Sequence, residues 1–314
     1  MDRLGRRGKG CVLLDVGGTQ IKSAAFSDSG DRLDAVHAAP SRAQEEREAI
    51  LENLLAVISL ESGILAANGY VLGSVGLAFP GPFDYRNGIS RMKGLAKYDA
   101  IEGLPLEEAL KSFPGQAVLQ REVRFFFRHD VDSFALGIAS LDPSCAEGRT
   151  MCLCIGTGAG SAFLEEGRLL KQDPRIPDNG WIYPFPFRGL TIDDWISVRG
   201  LERLIREAGF PAGTSGKELS DLAAQNNPRA AAVWKTFGAA AAETIQPFAD
   251  AFRPHRLVLG GQISKSERFF GDEVRKNFPE MSVRAAGGTT ESIFRGLLAS
   301  DREAGETREY GGHV

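Results

Sequence analysis

One pattern recurs in this chain and constrains its fold more than any other. It is an apolar strand, a tight glycine-rich turn carrying a threonine, and a second strand. It first spans Leu13-Leu14-Asp15-Val16-Gly17-Gly18-Thr19-Gln20-Ile21-Lys22-Ser23-Ala24-Ala25-Phe26. It returns about 140 residues later as Thr150 to Ile155 followed by Gly156-Thr157-Gly158-Ala159-Gly160-Ser161-Ala162-Phe163. Adjacent glycines admit positive φ and let a ligand approach bare N–H groups. In the first copy Thr19 adds a hydroxyl and Lys22 a positive charge, and Asp15 ends its strand with a carboxylate able to hold a hydrated Mg2+. Donors, a hydroxyl, a cation and a metal-side carboxylate together suit a polyphosphate. A single such hairpin reads equally well as an ordinary glycine turn. Two in one chain point to two related domains facing one cleft.

The length, 314 residues, is natural for two domains. A net charge of −4 gives no argument for nucleic acid or an anionic membrane surface. No apolar run reads as a membrane span. The basic, glycine-rich Met1 to Gly10 lacks the apolar stretch of a signal peptide and reads as a short flexible lead. Four cysteines, Cys11, Cys145, Cys152 and Cys154, show no zinc-knuckle spacing, and their apolar neighbours suit a reducing, cytoplasmic location.

In chain order, a third strand is expected over Arg32 to Ala38. A helix capped by Ser41 should follow and run to about Asn68. A buried strand then meets Phe79-Pro80-Gly81-Pro82. Pro105 to Phe113 reads as a helix, and Gln116 to Leu119 and Val123 to Arg128 as strands. The last of these ends at His129-Asp130, before a helix over Ser133 to Ala139. At that junction Asp130 is either a helix cap or a reactive carboxylate. Prolines exclude a helix from Asp173 to Arg188, whose aromatics and Asp178 line a polar pocket or pack the loop on itself. Helices follow over Ile192 to Gly209, Leu219 to Gln225 and Ala230 to Phe252. Arg256 to Gly261 is again strand then Gly-Gly, where a base or ribose could lie on bare backbone. A closing helix is expected over Thr290 to Ala299, with Asp301 to Val314 a frayed tail.

Five segments now stand in order: Asp15-Val-Gly-Gly-Thr, Phe79-Pro-Gly-Pro, His129-Asp130, Gly156-Thr-Gly-Ala-Gly and Leu259-Gly-Gly. This ordered set, from about residue 11 to 299, resembles the ROK family of repressors, open reading frames and kinases. The resemblance implies an α/β, actin-like ATPase fold of two ribonuclease-H-like lobes around a central cleft. The small lobe would cover 11–125, with helix 290–299 returning to it, and the large lobe 126–289; 1–10 and 300–314 would be flexible. It implies an enzyme that phosphorylates a sugar hydroxyl with ATP and Mg2+. Asp130 matches the catalytic base. Gly17, Gly18, Thr19 and Lys22 match the first phosphate loop, Gly156, Thr157, Gly158 and Gly160 the second, and Gly260 and Gly261 the adenosine motif. Asp15 would hold Mg2+ through water. Gly81, His129, Asp130, Asp178, Asn179 and Trp181 would face the sugar.

The departures lie on the sugar side. His129 replaces the usual Asn, Asp178-Asn179-Gly180-Trp181 stands for Glu-x-Gly-His, and Gly94-Leu95…Tyr98 replaces an Asn-Leu…Trp contact. With no cysteine after Cys154, the family's structural zinc site has no thiolates. The implied partner is a small-molecule sugar, with the departures speaking against ordinary glucose specificity, no nucleic acid or membrane, and a homodimer as a further option. The alternative is a non-catalytic sugar or nucleotide sensor. A repressor is disfavoured because about 14 residues precede Asp15, too few for a helix-turn-helix domain.

Overall fold

A computed structural model describes residues 8–94 and 97–309. Leu95, most of the expected basic lead and the end of the expected tail therefore lie outside the described residues. The chain divides into two compact units. One takes in the chain up to Ser133 and again from Ile293; the other is Phe134–Ser292.

The first unit opens with β1 (Lys9–Val16), β2 (Gln20–Phe26), β3 (His37–Pro40), α1 (Arg47–Ala67) and β4 (Val71–Phe79). A two-residue ladder, β5 (Phe83–Asp84) with β6 (Ile89–Ser90), leads to α2 (Leu106–Lys111) and β7 (Arg124–His129). Its sheet has the order β3-β2-β1-β4-β7. The β1–β2 and β2–β3 pairs are antiparallel, and β1–β4 and β4–β7 are parallel. β3 is shorter and later than the periodicity suggests, and Gln116 to Leu119 forms no strand because the Gln116 side chain is bonded to the backbone of Lys111 and Leu119 instead. α1 begins at Arg47 without a side-chain cap, so Ser41 is free for another task. Contrary to the sequence expectation, α1 is long and apolar enough to cross a membrane. In the fold its apolar stripe is spent on the core: Ile50, Leu54, Ile58 and Leu65 are fully buried and cluster with Val12, Leu14, Val75 and Leu77.

α3 (Asp130–Leu141) carries the chain into the second unit. There β8 (Arg149–Ile155), β9 (Ala159–Glu165) and β10 (Arg168–Leu170) form an antiparallel meander. A small ladder, β11 (Pro186–Phe187) with β12 (Leu190–Thr191), precedes α4 (Ile192–Trp195), α5 (Val198–Glu207), α6 (Gly216–Ala224) and α7 (Pro228–Phe252). β13 (Arg256–Gly260), α8 (Glu267–Asn277) and β14 (Ser282–Ala285) complete it. The sheet order, β10-β9-β8-β13-β14, with β8–β13 and β13–β14 parallel, repeats that of the first unit strand for strand. Its core is built on Trp234, Phe237, Phe252 and Phe270, all at most 1% exposed. α9 (Thr289–Glu309) runs past the expected end at Ala299, so the tail expected from Asp301 is helical through Glu309.

Candidate functional site

In the first unit the parallel register decides what meets what. Asp15 pairs with Ala78 and Ala78 with Arg128, so the ends of β1, β4 and β7 reach one sheet edge together. That edge carries the Gly17-Gly18-Thr19 turn, the Pro80-Gly81-Pro82 loop and Asp130. Asp15 and Lys22 are direct cross-strand partners on the hairpin, the arrangement that suits opposite charges. The turn is tied through its carbonyls. Tyr98 Oη donates to Gly17 O at 2.8 Å, Ser41 Oγ to Gly18 O at 2.8 Å, and Ser41 N to Thr19 O at 3.0 Å. The carbonyls that would repel an anion are thus occupied. Neither Gly17 nor Gly18 has positive φ, which corrects the expected reason for them. Their value is room: a Cβ on Gly17 would stand 2.8 Å from Gln20 O, while a Cβ on Gly18 would meet nothing nearer than Lys97 Cδ at 3.6 Å. Tyr98 is fully buried, packs at a tilt against Phe79 with ring centroids 5.0 Å apart, and burial pushes its hydroxyl pKa up. Its hydroxyl is spent on the carbonyl of the Gly17-Gly18 turn.

At the β7 end, Asp130 is the first residue of α3, and its Oδ1 accepts the Val131 N–H at 2.9 Å. Its side chain keeps 35% exposure. His129, 9% exposed, lies between two carboxylates: Nε2 is 3.4 Å from Asp130 Oδ1 and Nδ1 3.7 Å from Asp132 Oδ1. A Cβ on Gly81 would stand 3.7 Å from the His129 ring and 3.3 Å from Tyr85 Oη, which donates to Phe79 O at 3.0 Å. Gly81, His129 and Asp130 therefore adjoin as expected from the motifs. Asp132 and Tyr85 join them without having been singled out; the one available signal was Asp132 two residues beyond Asp130, on the first turn of the same helix.

In the second unit the parallel β8–β13 register pairs Cys154 with Gly260, bringing the Gly156–Gly160 hairpin and the Gly260-Gly261 turn to one sheet edge. Nothing lies within 4 Å of where a Cβ on Gly156 would be. Asp193 approaches from α4, its Oδ1 accepting Ala159 N–H at 2.7 Å. Gly260 is packed tightly, with a Cβ there 2.7 Å from both Cys154 Sγ and the Phe134 ring. Gly261 has φ 83° and its N–H is donated to Thr289 Oγ1 at 3.0 Å, so that backbone is not bare as expected. These two glycines are demanded first by packing and turn geometry. Cys152 is fully buried, and burial pushes its thiol pKa up.

Asp178, Asn179 and Trp181 lie on the loop leading to β11. Asn179 adopts a left-handed conformation (φ 58°), one that Asn tolerates well. Ser161 of β9 grips the loop from inside, donating to Gly180 O at 2.6 Å and accepting Ile182 N–H at 3.0 Å. Asp178 and Trp181 line a cavity of about 390 Å3 with Ile176, Pro177, Pro184 and Phe185. Tyr183 and Phe185 are 36% and 41% exposed, and Ile182, fully buried, is the loop's inward anchor. Burial, and then the Asp193 carboxylate, push the Tyr183 hydroxyl pKa up.

The residues present fit a nucleotide and a Mg2+ ion. The second hairpin offers open space at Gly156, the first has only the Lys97 side chain near Gly18, and the carbonyls of the first are turned onto Tyr98 and Ser41. Among the described residues no group of three or more His, Cys, Asp or Glu is arranged to hold a metal. A single carboxylate such as Asp15 is enough for Mg2+, which keeps most of its waters and takes phosphate oxygens.

A family model described as "ROK family" matches residues 11–301. The N-acetyl-D-glucosamine kinase of Haemophilus influenzae is 27% identical over 292 residues, covering 87% of this chain and 90% of that one. Among solved structures, a ROK family glucokinase from Streptomyces griseus in complex with glucose and AMPPNP superposes with a TM-score of 0.73 at 18% identity, over 92% of this chain and 98% of that one. A ROK family transcriptional regulator, homologous to the E. coli MLC protein, superposes with a TM-score of 0.72 at 16% identity, over 93% of this chain and 80% of that one. These likenesses establish the actin-like ATPase fold, with its two ribonuclease-H-like α/β units.

Proposed function

This chain belongs to the ROK family, and from that premise we propose that it is an ATP-dependent sugar kinase acting on a hexose or amino sugar, with Asp130 as general base. Asp130 supports this reading most. Its carboxylate is fixed by its own helix start, remains reachable from solvent, and shares a sheet edge with the Gly17-Gly18 turn. A sugar hydroxyl is a poor nucleophile at neutral pH. A carboxylate within hydrogen-bond reach orients it and accepts its proton as the new P–O bond forms. Bound ATP would supply the γ-phosphoryl group, its bond to the ADP oxygen breaking as the new bond forms and ADP leaving, and Mg2+ would neutralise charge on the phosphates. Asp15 would hold the metal through water. Gly17, Gly18, Thr19 and Lys22, and Gly156, Thr157, Gly158 and Gly160, would take the phosphates, and Gly260 and Gly261 the adenosine side. Gly81, His129, Asp178, Asn179 and Trp181 would meet the sugar. The name of the Haemophilus relative favours an N-acetylated amino sugar among the candidates.

The second reading is a sugar or nucleotide sensor without turnover, favoured by the likeness to the transcriptional regulator. One variant separates the two. Asp130→Asn keeps shape and polarity but removes proton acceptance, so turnover of a responsive sugar should fall by about 10²–10⁴-fold with ATP affinity unchanged. Near-normal turnover in this variant removes Asp130 from the mechanism. No ATP turnover by the unaltered protein with any hexose or amino sugar supports the sensor.

A further inference from the structure

The two glycine hairpins are not equally equipped. The first carries a cation, Lys22, in its own second strand, whereas Ala159 to Glu165 of the second contains none. A loop that binds phosphate through backbone alone leaves the anion's charge largely unmet. In the fold a cation arrives from a distant segment. Arg199, in the first turn of α5, is paired with Asp193 Oδ2, and its Nη1 reaches Thr157 O at 3.5 Å. Asp193 meanwhile holds the hairpin through Ala159 N–H, and its Oδ1 lies 2.7 Å from where a Cβ on Gly158 would stand. α5 is itself fastened to the turn, Val198 N donating to Gly156 O at 2.8 Å. The Arg199 side chain remains 54% exposed, against 23% for Asp193.

We propose that Arg199 is an anion-binding residue of the second hairpin, contacting a phosphate oxygen of the nucleotide, and that Asp193 is the residue that positions it. This rests on reading Gly156–Gly160 as a phosphate loop. A guanidinium has five N–H donors in a planar fork, so one edge can stay on Asp193 while the other serves a phosphate. The pairing with Asp193 restrains a long side chain beforehand, which lowers the entropy lost on binding. Asp193 sets the hairpin and the guanidinium together, because one carboxylate oxygen is spent on each.

The test is calorimetric binding of ATP and of adenosine, with melting temperatures, to Arg199→Ala, Arg199→Lys, Asp193→Asn, the Arg199→Ala/Asp193→Asn double variant, and Gly156→Val as a control for the loop. Arg199→Ala should weaken ATP by about 10- to 100-fold while adenosine binding and melting temperature stay unchanged. Arg199→Lys should recover only part, since a point charge lacks the fork. Asp193→Asn keeps one oxygen to accept the Ala159 N–H and loses the one that pairs with Arg199, so it should weaken ATP less, and that effect should shrink in the Arg199→Ala background. If Gly156→Val abolishes ATP binding but Arg199→Ala leaves it intact, the loop reading stands and the role of Arg199 is overturned. If neither variant affects ATP, the phosphate-loop reading itself fails. If Arg199→Ala weakens ATP and adenosine equally, or binding falls only in step with melting temperature, Arg199 is a structural bolt and the proposal is overturned.

Discussion

Asp178 and Trp181 share one cavity but stand in different relations to the fold. Asp178 is exposed, and a solvated carboxylate does little for folding. Asp178→Ala should therefore raise KM or abolish turnover while leaving the melting temperature nearly unchanged. Trp181 is half-buried, its ring 6.1 Å from that of Tyr183. A fully buried tryptophan replaced by alanine costs about 3–5 kcal/mol; a half-buried one should cost less, and Trp181→Ala should selectively weaken sugar binding. A loss of the full buried amount with sugar affinity intact would make Trp181 a packing residue. At this scale the motifs told a divided story. Gly81, His129 and Asp130 were legible because each follows directly from a strand end, and parallel register carries strand ends to one edge. Asp132 stood beside Asp130 on the same first turn, within i,i+3 of His129, but belongs to none of the motifs. Tyr85, Asp193 and Arg199 were not legible, because their contacts depend on how loops and helix starts fold back on the strand ends. The tasks of Ser41 and Tyr98 were hidden too: a capping serine and a serine that ties a distant carbonyl look alike in sequence.

Among the elements, the segment from Asp173 to Thr191 raises the question of what orders a proline-rich loop that contains no cysteine. Arg175 is the centre of one answer. It donates to both oxygens of Glu165 at 2.9 and 2.6 Å and to both of Asp173 at 2.9 and 2.7 Å, and it lies 5.6 Å over the Phe252 ring. A second fastening comes from Arg188, paired with Glu243 at 2.7 Å and set over Phe187 and Trp195. Phe185 meets Phe248 edge-on at 5.1 Å, and Thr191 and Asp194 form a capping box that starts α4. Hydrogen bonds from Arg175 hold the Asp173 carboxyl at about 2, and Arg175 likewise lowers Glu165. Both carboxylates titrate lower folded than unfolded, so their contribution is present above the ordinary carboxylate range and is lost as pH falls through the folded values. Arg175→Ala should thus melt below the unaltered protein near pH 6, and the gap should close between about pH 4 and pH 2. A gap that does not change with pH would mean that Arg175 acts through its contact with Phe252 alone. Prolines made the loop legible as non-helical, but ion pairs to β9 and α7 depend on the tertiary fold and left no local trace.

Across the whole molecule the duplicated sheet was the most legible feature, since two copies of one hairpin required two copies of its surroundings. The least legible feature was how far the closing helix runs. α9 belongs to the first unit from Ile293 onward, as the resemblance implied, but it continues through Glu309, although nothing apolar or periodic in Asp301 to Glu309 announces that extension. Phe294 is fully buried and meets Phe26 of β2 edge-on at 5.7 Å. Gly296 lies against the Ser133 carbonyl, where a side chain would collide. Asp301 pairs with Arg124 of β7 at 2.9 Å and accepts from Ser74 of β4 at 3.2 Å. The first unit is therefore completed by residues made last, across sequence separations that local folding cannot shortcut. Phe294→Ala should remove about 3–5 kcal/mol from that unit. Native-state hydrogen exchange can assign the loss: amides of β1, β2, β4 and β7 should lose protection, while those of β8, β13 and α7 keep theirs. Equal loss of protection in both sheets would show that the chain opens as a single block, and α9 would then have no separate role in closing the first unit.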